Sequence, residues 1–206
     1  MDKYSGFEHL SANESRGADY EVRLRHGSSG IAVISIHGGA IEPGTSEIAE
    51  AVAGADHTFY TLRGTKKTGN IDLHITSTSF DEPDAIEIVR RSQSVISIHG
   101  CAEEEEVVYV GGADSRLRNC IEEKLRQAGF KTPCGVSSLR GLDRRNICNR
   151  SRRGMGVQLE ISKGLRARMF GDLASVGGPA REIFREFVHA VREAIEQFKL
   201  ANEDGA

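Results

Sequence analysis

The sequence predicts one α/β domain, a mixed β-sheet flanked by helices, and three observations carry that prediction. Short β-branched apolar runs alternate with stretches in which apolar residues recur every three or four positions, the pattern of strands interleaved with helices. The opening alternation at residues 20–25 reads as a half-exposed strand, hence an antiparallel edge on an otherwise buried sheet. At 206 residues with 38% hydrophobic and 28% charged content, the chain has the size of one domain and carries no linker or repeat that would divide it. The domain is therefore expected to span residues 1–206, with residues 1–19 as a loosely ordered leading segment.

In chain order, Tyr20 to Arg25 is the alternating edge strand, Ile31 to Ile36 a buried strand, and Thr58 to Leu62 a third. Thr45 to Val52 between them has helical spacing. Leu73 to Thr78 alternates again and reads as a strand, followed by a helix over Asp84 to Arg91 behind Pro83, a residue suited to a first helical turn. Ser94 to Ile98 repeats the apolar run, and Val107 to Val110 is another strand. Asp114 to Ala128 is a helix stopped by Gly129, Val157 to Ile161 a strand, and Ala180 to Leu200 a last helix behind Pro179.

Composition removes several classes of function. Lys and Arg number 27 against 30 Asp and Glu, and a net charge of −3 gives no global attraction to nucleic acid or to an anionic membrane. The first ten residues have no basic start leading into an apolar run, and Ile31 to Ile36 is far too short to span a bilayer, so synthesis in the cytoplasm without a signal peptide is expected. Cys101, Cys120, Cys134 and Cys148 form no Cys-x-x-Cys pair, which argues for reduced thiols rather than disulfides or a four-thiolate zinc site.

The chemistry lies where two strands end alike, at Ser35-Ile-His37-Gly38 and Ser97-Ile-His99-Gly100. Ligands of α/β sheets bind beyond the carboxyl ends of strands, so the matched histidines are expected to converge. A lone histidine there is usually an ordinary polar residue; the pair is what argues for a ligand role. Glu42 follows His37 by five residues across a glycine-rich turn, and with His99 it makes a His₂Glu set, the composition of a catalytic zinc. Three protein ligands leave a position for water, whose pKa falls toward ~7 on zinc. The blander reading makes Glu42 a carboxylate near a helix start. A phosphate-binding loop is rejected, because Thr45 stands where its lysine belongs and Glu42 would sit among the phosphates.

Glu160, between apolar neighbours on the strand from Val157, is the candidate general base, since partial burial would raise its pKa to a useful value; outward orientation on the strand is the alternative. Upstream, Arg140, Arg144, Arg145, Arg150, Arg152 and Arg153 crowd around the single acid Asp143, with Asn146 and Asn149 among them. Arginine forks bind carboxylates bidentately, so an anionic substrate is expected. A nucleic-acid-binding protein is the reading from another class, weakened because the segment holds no aromatic for base stacking. His74 is a further polar candidate, Cys101 reads better as a small buried side chain than as a nucleophile, and Glu103 to Glu106 reads as a solvated turn.

These pieces together resemble the phage-type poly-γ-glutamate hydrolases. The resemblance is carried by residues 37–42, by Leu73 to Pro83, by Ile98 to Gly100, by Gly111-Gly112 with Leu117 to Asn119, by Asn146 to Arg150 and by Gly156 to Ser162. It implies a compact relative of zinc carboxypeptidases, with zinc at His37, Glu42 and His99 and with Glu160 activating water. In it Asn149-Arg150 resembles the Asn-Arg pair that holds a substrate carboxylate; Asn146, Arg145 and His74 are the further substrate-binding candidates from the reading of the residues. The implied substrate is the capsule polymer poly-γ-glutamate, reached after host lysis, with no nucleic-acid or membrane partner and a monomer expected. A zinc carboxypeptidase or deacylase acting on small γ-glutamyl or acyl-amino acids would share the same residues.

Overall fold

Six strands form one mixed sheet in the order β1-β3-β2-β4-β6-β5. They are β1 (Tyr20–Arg25), β2 (Ile31–Gly39), β3 (Thr58–Gly64), β4 (Ser94–Cys101), β5 (Val108–Gly111) and β6 (Val157–Ser162). The computed structural model describes residues 2–133, 139–176 and 181–203. Cys134, Pro179 and Ala180, named in the sequence reading, lie outside them. The central strands β3, β2, β4 and β6 run parallel, and the edges β1 and β5 pair antiparallel to β3 and β6. The edge expected at residues 20–25 is therefore present.

The sheet is covered on both faces, which explains the unbroken apolar runs of β2 and β4: a strand buried on two sides has no polar face to show. Ile31 and Val33 of β2, Ile96 and Ile98 of β4, and Val157, Leu159 and Ile161 of β6 point to one face. There they pack against α2 (Thr45–Ala53), α4 (Ser115–Gln127), α5 (Lys163–Phe170) and α6 (Glu182–Glu203). Ala32, Ile34 and Ile36 point to the other face, under α3 (Pro83–Arg91) and the segment around α1 (Phe7–Ser11). Burial on this scale, at ~25 cal/mol per Å² of apolar surface, is the main favourable contribution to folding.

One expectation is corrected. Leu73 to Thr78 is not a strand: Asn70–Leu73 forms a 3-10 turn, and Leu73 and Ile75 are buried because the loop is pressed into the second core. In the leading segment Tyr4 and Leu10 are buried in that core, and Asp2 accepts the Thr76 amide at 2.7 Å. Among the described residues no helix is long and apolar enough to cross a membrane.

Candidate active site

Because β2, β4 and β6 are parallel, their carboxyl ends open on one side of the sheet, and the functional side chains gather there. On β6 the apolar Val157, Leu159 and Ile161 take one face and leave Gln158 and Glu160 to the other. Glu160 is paired in register with His99 of β4. His37 sits near the end of β2, within a register irregularity between Ser35 and Gly38. The turn after it returns the chain so that the Glu42 amide donates to the His37 carbonyl at 2.9 Å. Gly44, at φ +93, then opens α2.

His37, Glu42 and His99 meet at one point, with their ligand atoms within 4.8 Å of one another. His37 Nδ1 lies 3.0 Å from Glu42 Oε1 and 3.2 Å from His99 Nδ1. The Gly100 amide donates to Glu42 Oε2 at 2.8 Å. The far sides of both rings are occupied: His37 Nε2 donates to the Ile75 carbonyl at 2.9 Å, and His99 Nε2 is 2.8 Å from Ser97 Oγ. A carbonyl only accepts, so Nε2 of His37 carries a hydrogen, and in the neutral ring the lone pair is at Nδ1. Two imidazole nitrogens thus face a carboxylate, an arrangement that needs a proton or a metal cation between them. The outer hydrogen bonds are those that orient metal-binding histidines, so this donor set fits a zinc ion.

Burial disfavours charge throughout this cluster, and the charges that survive are the paired ones. Burial alone would raise Glu42, but His37, His99 and the Gly100 amide hold it down to about 2. Burial would lower His37, yet the charge and hydrogen bond of Glu42, with the bond to Ile75, lift it above the ordinary imidazole value. Burial dominates for His99, which falls to about 3. Glu160 is pushed up to about 8, by burial first and by the Glu42 charge second, while a hydrogen bond from Gln158 pulls the other way. A carboxyl in that range exchanges protons near neutral pH.

These groups line a cleft of about 680 Å³. His74 lines it too, its ring stacked on His37 at 3.9 Å between centroids and its Nδ1 held 2.8 Å from Asp2 Oδ1. Asn146 lines the cleft and donates to Gln158 Oε1 at 2.8 Å, and Gln158 Nε2 in turn donates to Glu160 Oε1 at 2.7 Å. Asn146 thus braces the candidate base through Gln158, a residue the sequence reading did not single out.

Of the expected anion-binding residues, two are committed elsewhere. Asn149 Oδ1 accepts the Ala113 and Gly156 amides, and its Nδ2 donates to the Gly141 and Asp143 carbonyls. Arg150 donates to the carbonyls of Arg145, Phe80 and Thr78 and does not line the cleft. Both side chains tie loops together, and neither lines the cleft. Arg153 is similarly engaged, with Asp114 and Ser94. Exposed Arg145 pairs with Asp143 on the cleft wall, and Arg140 lines the cleft itself. Cys101 borders the cleft, and burial raises its thiol pKa, the opposite of nucleophile activation. Glu103 to Glu106 are exposed as expected.

Comparison with known proteins agrees with this geometry. The family model described as poly-gamma-glutamate hydrolase matches residues 4–190. The chain is 39% identical over 196 residues to UPF0714 protein YndL of Bacillus subtilis (strain 168), covering 92% of this chain and 76% of that protein. A solved bacteriophage poly-gamma-glutamate hydrolase superposes with a TM-score of 0.93 at 32% identity, over 97% of this chain and 99% of that one. A structure described as YNDL-apo (Zinc-free) superposes with a TM-score of 0.89 at 38% identity, over 95% and 98% of the two chains.

Proposed function

The chain belongs to the poly-γ-glutamate hydrolase family, and from that premise we propose that it is a zinc-dependent hydrolase of the γ-glutamyl amide bonds of poly-γ-glutamate. The observation that carries the reading is the convergence of His37, Glu42 and His99, with Glu160 on the neighbouring strand over the same cleft. His37 and His99 through Nδ1, and Glu42 through its carboxylate, would hold the ion. When bound, zinc supplies a Lewis acid for the amide carbonyl and lowers the pKa of a coordinated water toward ~7.

The chain's own residues perform the rest. Glu160 accepts the proton of the attacking water and delivers it to the leaving amine nitrogen; burial and the Glu42 charge push its carboxyl up to about 8 in the metal-free protein, and a bound cation would draw it back toward the working range. Gln158 keeps one of its oxygens fixed during both transfers. His74, oriented by Asp2 and stacked on His37, would stand beside the reacting carbonyl. Each unit of the polymer bears a free α-carboxylate, and Arg140 on the cleft wall supplies the complementary cation, with Arg145 at the rim beside Asp143.

The bacteriophage source of one structural relative supports a role in breaking down a capsule polymer. The test is the size distribution of purified poly-γ-glutamate after incubation with zinc-loaded protein, with and without a chelator. Chelator-sensitive shortening is expected. Intact polymer beside turnover of short γ-glutamyl compounds would favour a small-substrate amidase, and retention of full activity without metal would overturn the zinc assignment.

A further inference from the structure

Hydrogen bonding between β2 and β4 stops at the pair Ile34 and Ser97, three residues before His37. Beyond that point no sheet ladder registers the His37–Glu42 turn against the strand that carries His99. β2 stays paired with β3 as far as Gly39 and Gly64, but the three ligand atoms lie within 4.8 Å of one another, so contacts outside the β2–β4 ladder bring the turn against the end of β4. The Gly100 amide bonded to Glu42 is one such connection. Another is a buried guanidinium.

Arg166, on the first turn and a half of α5, is 5% exposed. Its Nη1 donates to the Pro43 carbonyl at 2.8 Å, its Nη2 to the Cys101 carbonyl at 3.0 Å, and its Nε to the Ile161 carbonyl at 3.1 Å. Pro43 directly follows Glu42, Cys101 stands two residues after His99, and Ile161 directly follows Glu160. One planar group therefore fastens the backbone beside two of the metal-site residues and beside the base. Gly100 makes room for it, because a Cβ there would meet Arg166 Cζ at 2.6 Å. Lysine can replace it only in part, since a single ammonium does not reproduce a fork whose three nitrogens reach three separate carbonyls.

We infer that Arg166 is a positioning residue that holds the Glu42 turn, the end of β4 and the end of β6 at the separation the metal site and Glu160 require. The inference rests on the metal reading proposed above. Arg166 does not line the cleft; it bonds backbone carbonyls, and its buried charge also favours the ionised forms of Glu42 and Glu160. Residues that orient metal ligands from outside typically change metal affinity by ~10–100-fold when lost.

The experiment compares the full-length protein with R166M, R166K and R153M. Zinc affinity is read by competition with a chromophoric chelator, kcat and KM on the polymer, and backbone amide exchange without metal. R166M is expected to bind zinc ~10–100-fold more weakly and to lose kcat with KM little changed. Its amide exchange should quicken in residues 41–46, 99–104 and 160–164 and not elsewhere. R166K should recover part of each effect, and R153M, which loses bonds to Asp114 and Ser94, should be less stable with unchanged zinc affinity. If R166M fails to fold, the same readouts on R166K decide. A folded variant at Arg166 with unaltered zinc affinity and exchange overturns the role. Unaltered protein that takes up no zinc overturns the metal reading instead, and amide exchange then judges the clamp by itself.

Discussion

His99 and Glu160 stand side by side across the parallel pairing of β4 and β6, one adding a nitrogen to the cluster with His37 and Glu42 and the other a carboxyl with its pKa pushed up to about 8. The sheet thus fixes the spacing between ligand and base through backbone hydrogen bonds rather than through flexible side chains. Rigid elements hold reacting groups more accurately than loops do.

From that separation of roles, Glu160→Gln should leave zinc content near that of the unaltered protein while lowering kcat by about 10²–10⁴-fold, the usual range for a lost acid–base group. His99→Ala should lose both zinc and activity. Metal analysis alongside kinetics checks the pair, and a fully active E160Q would remove Glu160 from the mechanism.

Gln158 donates to Glu160 Oε1 and so favours its ionised form. Replacing it with leucine removes that donor, which raises the Glu160 pKa further. The base works deprotonated, so the acid limb of the kcat/KM profile should move to higher pH, and kcat/KM at pH 7 should fall roughly tenfold, the effect of one hydrogen bond to a charged group. An unmoved limb would show that Gln158 is structural.

The N-terminal segment supplies a pH-dependent contribution to stability. Glu14 is held below its ordinary value, first by the Tyr4 hydroxyl and then by Lys66, whose Nζ lies 2.9 Å from Oε2. A depressed carboxyl stabilises the fold above the unfolded-state pKa of ~4.3, and that contribution disappears as pH falls through the lower folded value. Glu14→Gln should cost about 1–2 kcal/mol at neutral pH and flatten the acid side of the stability profile. Denaturant titrations at neutral and acidic pH measure both effects.

The strand ends were readable because a doubly buried parallel strand must be apolar along its whole length, so Ser-Ile-His-Gly at two strand ends stands out from the run before it. Other residues offered no such contrast. Leu73 and Ile75 alternate like a strand, but the Ile75 carbonyl is taken by the His37 ring, a partner 38 residues away. α5 begins directly after β6, with no turn to announce it. Arg166 is one arginine among many until the three carbonyls around it are known, and those come from segments up to 123 residues distant. For the same reason Asn149 and Arg150 read as ligand-binding groups although their partners lie within the chain.

Arg150 and Arg140 separate these two uses of arginine. Arg150 gives its guanidinium to three backbone carbonyls, so Arg150→Ala leaves those acceptors without their donor. At ~0.5–1.5 kcal/mol for each of three net hydrogen bonds, the loss should be about 1.5–4.5 kcal/mol of stability. KM at a temperature where the variant is folded should scarcely change. Arg140 lines the cleft, and Arg140→Ala should leave stability within about 0.5 kcal/mol, as for most exposed substitutions. It should raise KM for the polyanion roughly tenfold or more through the lost charge-assisted contact. Added salt, which screens such contacts, should weaken the unaltered protein's hold on the polymer more than that of R140A. The reverse pattern, with KM moved by Arg150 and not by Arg140, would restore Arg150 as the substrate-binding group and require the loop it now fastens to open in the complex.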